Sequence, residues 1–208
     1  MSQFPAPPQS KSSLDPFPVV HYFRLSGSFL VNFTLTDFFA DLDGFTERIS
    51  LDYLTRRLSK LEISLNDVRG HLQFGNKTYR RNLIHQGPSY QALVLCWRSG
   101  QRSPIHDHRG SSCGVRVLSG LAIETLFEQT KDGWIYATES LELSKNQVCG
   151  SEDSDIHQVS NLCPQGEDLV TLHVYSPALL VMGTYSLTDA TQVEFSDPVY
   201  AFSDGAGI

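Results

Sequence analysis

The sequence predicts a mainly β protein, a jelly-roll barrel of short antiparallel strands with a helical region packed against its outside. Three observations predict it. From about residue 74 onward, short segments rich in Val, Ile, Leu, Thr, Tyr and Phe follow one another between turn signals, the spacing of a β-sandwich or small barrel. Ahead of them, leucines recur at intervals of three and four, the period of an amphipathic helix. The composition, 40% hydrophobic and 19% charged over 208 residues, is that of one globular domain with a substantial core. Closing the sheet removes its edges, which favours a barrel.

Residues 1–18 carry five prolines and little to bury, and read as a flexible arm ahead of a single domain over 19–208. The helical part covers about 36–73 and the barrel about 74–203. Thr36 and Asp37 suit the start of a first helix carrying Phe38, Phe39 and Leu42, with Gly44 at its end. Ser50 caps a second, in which Leu51, Leu54, Leu58 and Leu61 form the apolar stripe. Ser64 and Asp67 open a third, short helix with Leu65, Val68 and Leu72. Strands are expected over 92–97, 114–118, 122–128, 134–143, 169–175 and 179–185.

The net charge is −7. An acidic chain without a Lys/Arg block lacks the footprint of a nucleic-acid binder and the polybasic stretch that holds a protein to an anionic membrane. Residues 1–18 have no apolar targeting core, and 29–39 is too short and too polar to span a bilayer. Cys96, Cys113, Cys149 and Cys163 are widely spaced with no CxxC pair, which suits free thiols in a reducing compartment. The expectation is a cytoplasmic monomer whose partners are small molecules, with neither nucleic acid nor membrane.

Chemistry concentrates between Gly100 and Gly120. On a strand, His106 and His108 would share one face about 6.6 Å apart. Facing a barrel interior, they could converge on one ion with metal–nitrogen bonds of about 2.1 Å. His157, which opens the segment His157-Gln-Val-Ser-Asn161, is the best third ligand if an antiparallel neighbour brings it alongside. On spacing alone, surface or hydrogen-bonded core histidines remain the alternative. His21, His71 and His85 have no ligand-like partner nearby. Thr171, His173 and Tyr175 alternate with Leu172 and Val174. They are either an interior hydroxyl–imidazole–phenol relay or the solvated face of a strand. By themselves, Arg80 and Arg81 read as solvated charges, and the cysteines as small buried hydrophobes.

Gly100, His106, His108 and Gly120 match the spacing of the first cupin motif, G-x5-H-x-H-x4-E-x6-G, with Cys113 where most cupins have glutamate. His157 and Asn161 match the H-x3-N end of the second motif, whose preceding Pro and Gly are absent. Tyr79-Arg80-Arg81-Asn82-Leu83 is similar to a Tyr-x-Arg-Asn-Leu stretch. Over about residues 79–185 the chain thus resembles the type I cysteine dioxygenase family of cupins. The resemblance implies Fe(II) held by His106, His108 and His157, and L-cysteine and O2 as substrates giving cysteine sulfinic acid. It implies that Arg81, with Tyr79 on the same face, receives the substrate carboxylate. It implies catalytic roles for Tyr175, whose hydroxyl lies beside the iron, for His173, and for Thr171 where the family has Ser. It also implies a thioether between Cys113 and Tyr175, and a cis bond at Ser176-Pro177.

Three neutral ligands leave the metal its full charge, which suits an anionic chelating thiol whose proton is lost on coordination. Trp97 and Met182 either line the pocket or pack in the core. Three rivals stand beside this reading. A 3-mercaptopropionate dioxygenase typically has Gln at the position of Arg81. A non-catalytic cupin would bind a thiol or metal without turnover. A zinc or manganese isomerase would keep the glutamate that Cys113 replaces. Histidine ligands also suit zinc and nickel, so iron rests on the resemblance.

Overall fold

The structure is a computed structural model and describes residues 32–201; the arm expected over 1–18, and His21, lie outside them. Helix α1 (Leu35–Leu42) begins two residues earlier than its sequence signal suggests. Thr34 is the cap: its Oγ1 accepts from the Asp37 N–H at 3.3 Å while Asp37 Oδ2 accepts from the Thr34 N–H at 3.0 Å. Asp37 is thus the third helical residue of a capping box rather than part of the cap. Helix α2 (Leu51–Lys60) starts at Ser50 as expected, with Ser50 Oγ accepting from the Tyr53 N–H. The Ser64–Asp67 pairing forms, at 2.7 Å to both Ser64 donors, but no third α-helix follows. Asn66, Asp67 and Gly70 are poor helix formers, and the chain continues only as turns and the 3₁₀ segment Arg69–His71.

Twelve strands follow among the described residues: β1 (Arg80–Gln86), β2 (Gln91–Trp97), β3 (Ile105–His106), β4 (Ser112–Ser119), β5 (Leu121–Gln129), β6 (Ile135–Ser144), β7 (Val148–Glu152), β8 (Ile156–Ser160), β9 (Leu169–Ser176), β10 (Met182–Tyr185), β11 (Gln192–Phe195) and β12 (Val199–Tyr200). The strand expected over 179–185 is shorter, because Leu180 and Val181 turn out to solvent before it. The strands form two sheets, in the orders β12-β1-β2-β9-β4-β7 and β11-β10-β3-β8-β5-β6. This is a jelly-roll of two facing sheets, but closure is not reached: among the described residues no ladder joins the two sheets edge to edge. The edges are managed otherwise. β12 is two residues long, and β6 and β11 are largely exposed and carry Glu139, Glu142 and Glu194.

Strand alternation divides the molecule into two cores. On β2 and β9, Ala92, Val94, Cys96, Val170, Leu172 and Val174 face outward against Phe38, Leu42, Leu54 and Leu58 of the helices. Leu93, Leu95, Trp97, Leu169 and Tyr175 face inward between the sheets. The helices therefore cover the outer face that a lone alternating strand would leave to solvent. Close approach of α2 depends on two glycines paired across β4 and β7, Gly114 and Gly150. A Cβ on Gly114 would lie 2.6 Å from Leu58 Cδ1, and one on Gly150 would lie 2.5 Å from Leu51 Cδ1. Arg116, buried on β4, donates to the Leu58 carbonyl at 2.5 Å and so meets the negative end of α2.

Candidate metal centre

His106 stands on β3 directly opposite His157 of antiparallel β8, the neighbour relation expected from the sequence. His108 follows two residues on, its backbone N–H bonded to the Asp153 carbonyl at 3.0 Å. The three imidazole centroids lie 4.6, 4.8 and 5.4 Å apart, and one nitrogen from each ring lies within 4.8 Å of the other two. All three side chains are buried.

The tautomers follow from what each ring meets. His106 Nδ1 lies 3.0 Å from the Pro104 carbonyl, which only accepts, so Nδ1 holds the proton and Nε2 the lone pair. His157 Nδ1 lies 2.7 Å from Glu124 Oε1, which fixes the same tautomer. His157 Nε2 and both ring nitrogens of His108 are buried without a hydrogen-bond partner, an arrangement that costs about 1–3 kcal/mol per group if nothing binds there. Burial, reinforced by His157, holds the His106 pKa down to about 3 and that of His108 well below its usual value. His106 and His108 are thus neutral imidazoles, the form in which histidine ligates a metal. The donor set fits a divalent cation.

Two carboxylates that the sequence reading passed over hold this geometry. Glu124, buried on β5, is the acceptor that orients His157. Its signal was available: Ala122 and Glu124 share the inward face of an alternating strand, where an acid needs a partner. Asp107 points away from its two histidine neighbours. It accepts from the Gly183 N–H at 2.9 Å and the Tyr185 hydroxyl at 2.8 Å, stapling β3 to β10.

Thr171, His173 and Tyr175 form a buried chain on the inward face of β9, with Thr171 Oγ1 2.9 Å from His173 Nε2 and His173 Nδ1 3.1 Å from the Tyr175 hydroxyl. Trp97 anchors the near end of the chain. Its indole N–H only donates, and lies 3.0 Å from Thr171 Oγ1. Thr171, His173 and the Tyr175 hydroxyl are thus linked in series. Cys113 stands opposite Tyr175 across β4 and β9. Burial raises the Tyr175 hydroxyl and the Cys113 thiol above their usual pKa values and lowers that of His173, so all three stay neutral.

Arg81 and Tyr79 reach the same small cavity as His106, His157, His173 and Tyr175. Arg81 is 2% exposed. Its NH1 donates to the Asp197 carbonyl at 3.1 Å and its NH2 to the Leu179 carbonyl at 3.5 Å, while Nε is buried without a hydrogen-bond partner. Tyr79 stacks on Trp97 at 4.1 Å and donates its hydroxyl to the Asp197 carboxylate. Arg80 points elsewhere, over the Tyr200 ring. Trp97 and Met182 belong to the inner core and line the cavity as well, with Leu95 and Val159. The remaining motif residues are architectural. Gly100 and Gly120 take positive φ angles of 82° and 84°, and Asn161 donates to the Trp97 and Glu167 carbonyls. The Ser176-Pro177 bond is cis. His85 stacks on Phe39 and pairs with Asp43, far from the centre.

The family model for cysteine dioxygenase type I matches residues 33–187. Cysteine dioxygenase type 1 of Bos taurus is 32% identical over 136 residues, which cover 63% of this chain and 67% of that one. The Rattus norvegicus protein of the same name is 36% identical over 111 residues, 51% of this chain and 55% of that one, so the chain spans about half of that relative's length. Among solved structures, a Klebsiella pneumoniae protein with a double-stranded beta-helix domain aligns with a TM-score of 0.43 at 17% identity, over 56% of this chain and 84% of that one. A cupin 2 domain-containing protein from Halorhodospira halophila aligns with a TM-score of 0.40 at 15% identity, over 50% of this chain and 68% of that one.

Proposed function

Because the chain belongs to the type I cysteine dioxygenase family, we propose that it is an Fe(II)-dependent thiol dioxygenase converting L-cysteine and O2 to cysteine sulfinic acid. One observation carries the reading: two of the three imidazoles, an arginine whose Nε has no hydrogen-bond partner and a tyrosine hydroxyl meet at one small cavity. Iron, held by His106, His108 and His157, would supply coordination sites for a thiolate and O2 and the redox chemistry that joins them.

The protein's own groups do the rest. Arg81 takes the substrate carboxylate through its free edge, a match of planar donors to planar acceptor. Leu95, Trp97, Val159 and Met182 keep water from the reacting atoms. Tyr175, fixed from behind by His173 and Thr171, offers its hydroxyl as a donor to substrate or oxygen. Cys113 lies where its sulfur can bond to the Tyr175 ring; that thioether forms with loss of two hydrogens to O2 as oxidant. The partners are small molecules, the thiol and O2. No helix among the described residues is long and apolar enough to cross a membrane.

The test is oxygen uptake by anaerobically purified, Fe(II)-loaded protein, with L-cysteine and 3-mercaptopropionate in parallel. The proposal expects uptake with L-cysteine to exceed that with 3-mercaptopropionate, and Arg81→Ala to raise KM for L-cysteine more than it lowers kcat. Preference for 3-mercaptopropionate would overturn the substrate, and no uptake with either thiol at full iron loading would overturn the activity.

A further inference from the structure

At the end of the cavity that holds Arg81, residues 196–198 cross from one sheet to the other. β11 belongs to the sheet of β10 and β3, β12 to the sheet of β1 and β2. Each end of the crossing is tied to a cavity residue: Phe195 pairs with Met182, and Val199 pairs in parallel with Arg81. The residue at the middle of this strap is Asp197. Its carboxylate accepts from the Tyr79 hydroxyl, its carbonyl accepts from Arg81 NH1 at 3.1 Å, and its Oδ2 lies 4.0 Å from that same nitrogen. Arg81 and Asp197 are both shielded, with side-chain exposures of 2% and 13%. The strap lies beyond residue 187, where the family match ends.

We propose that Asp197 is a positioning residue that sets specificity for thiols bearing a carboxylate, by joining Tyr79 and Arg81 into one rigid arm. The inference rests on the thiol dioxygenase reading and adds to it the residue that prepares Arg81. A buried guanidinium without a countercharge is costly, and a long side chain loses rotamer freedom when it captures an anion. Asp197 meets both costs in advance. Its carboxylate compensates the cation, its carbonyl fixes NH1, and its grip on Tyr79 holds the phenol flat on Trp97. Nε is left without a hydrogen-bond partner, available to a substrate carboxylate. A thiol without a carboxylate gains nothing from this arm.

The experiment is anaerobic calorimetry on the full-length, Fe(II)-loaded protein with L-cysteine and with 2-aminoethanethiol, which keeps the sulfur and amine but has no carboxylate. Asp197→Ala is expected to weaken L-cysteine binding about tenfold, the worth of one buried hydrogen bond to a charged group, and to leave 2-aminoethanethiol binding within about twofold. Asp197→Asn keeps an acceptor for Tyr79 but loses the countercharge, and should weaken L-cysteine binding less than alanine does. In turnover the alanine variant raises KM for L-cysteine more than it lowers kcat. Should Asp197→Ala not fold, Tyr79→Phe removes the other end of the same contact and is expected to weaken L-cysteine selectively as well. Equal weakening of both thiols, unchanged L-cysteine binding in the alanine variant, or an asparagine variant as weak as alanine would overturn the arm. Wild-type protein that binds no thiol would instead overturn the dioxygenase reading, and the arm with it.

Discussion

Glu124 orients His157 in the candidate metal centre. Its carboxylate sets the tautomer of His157 and raises the basicity of Nε2, and loss of such a partner typically weakens metal affinity 10- to 100-fold. Glu124→Gln is therefore expected to weaken Fe(II) binding at least about tenfold in competition with a chelator, without shifting the thermal midpoint by more than a few degrees. Unchanged affinity would show that His157 needs no orienting partner. Thr171→Val tests the relay in the same way. It strands the Trp97 N–H and His173 Nε2, so kcat should fall about tenfold while KM for the thiol stays nearly constant. A change in KM alone would place the relay in binding instead. At this scale the shared face of His106 and His108, and that of Thr171, His173 and Tyr175, were legible because strand alternation is written into spacing, while His157 as the third ligand and the relay rested on the family resemblance. Glu124 was legible as an inward-facing acid but not as the partner of His157, and Asp107 was not legible at all, since what they do depends on which strands become neighbours. Asp197 was hidden for a further reason: its partners Tyr79 and Arg81 lie far ahead of it in the chain.

Among the elements, α2 and the β4–β7 pair form the tightest joint. Gly150 leaves room for Leu51 and Thr55, whose side chains would sit 2.5 and 2.8 Å from an added Cβ. Gly150→Val should cost about 1–3 kcal/mol of stability by overpacking, measured as a lower midpoint in urea with an unchanged slope. A variant as stable as wild type would mean that α2 slides easily on the sheet. The leucine stripe and Ser50 cap of this helix were readable, because both are local. The start of α1 was not read correctly, since Thr34 and Thr36 offer the same chemistry and only the reciprocal bond with Asp37 separates them. The Ser64 signal formed its bonds yet nucleated no α-helix, which illustrates that a cap cannot offset weak propensity in the following turn.

For the molecule as a whole, the jelly-roll was legible from strand spacing and turn residues. Closure into a barrel was not, because it depends on where the connecting segments cross between sheets. Those crossings serve the chemistry. The helices cover the outer face of one sheet, which lets β2 and β9 be buried on both sides, and the gap between the sheets holds a small cavity lined by Arg81, His106 and His157. A site so enclosed should pass both atoms of one O2 to one sulfur without exchange with water. The direct measurement is the mass of the product formed from L-cysteine by Fe(II)-loaded protein under 18O2 in ordinary water. A thiol dioxygenase of this design yields a sulfinate carrying both labelled atoms. A product with one labelled atom, or none, would contradict the account.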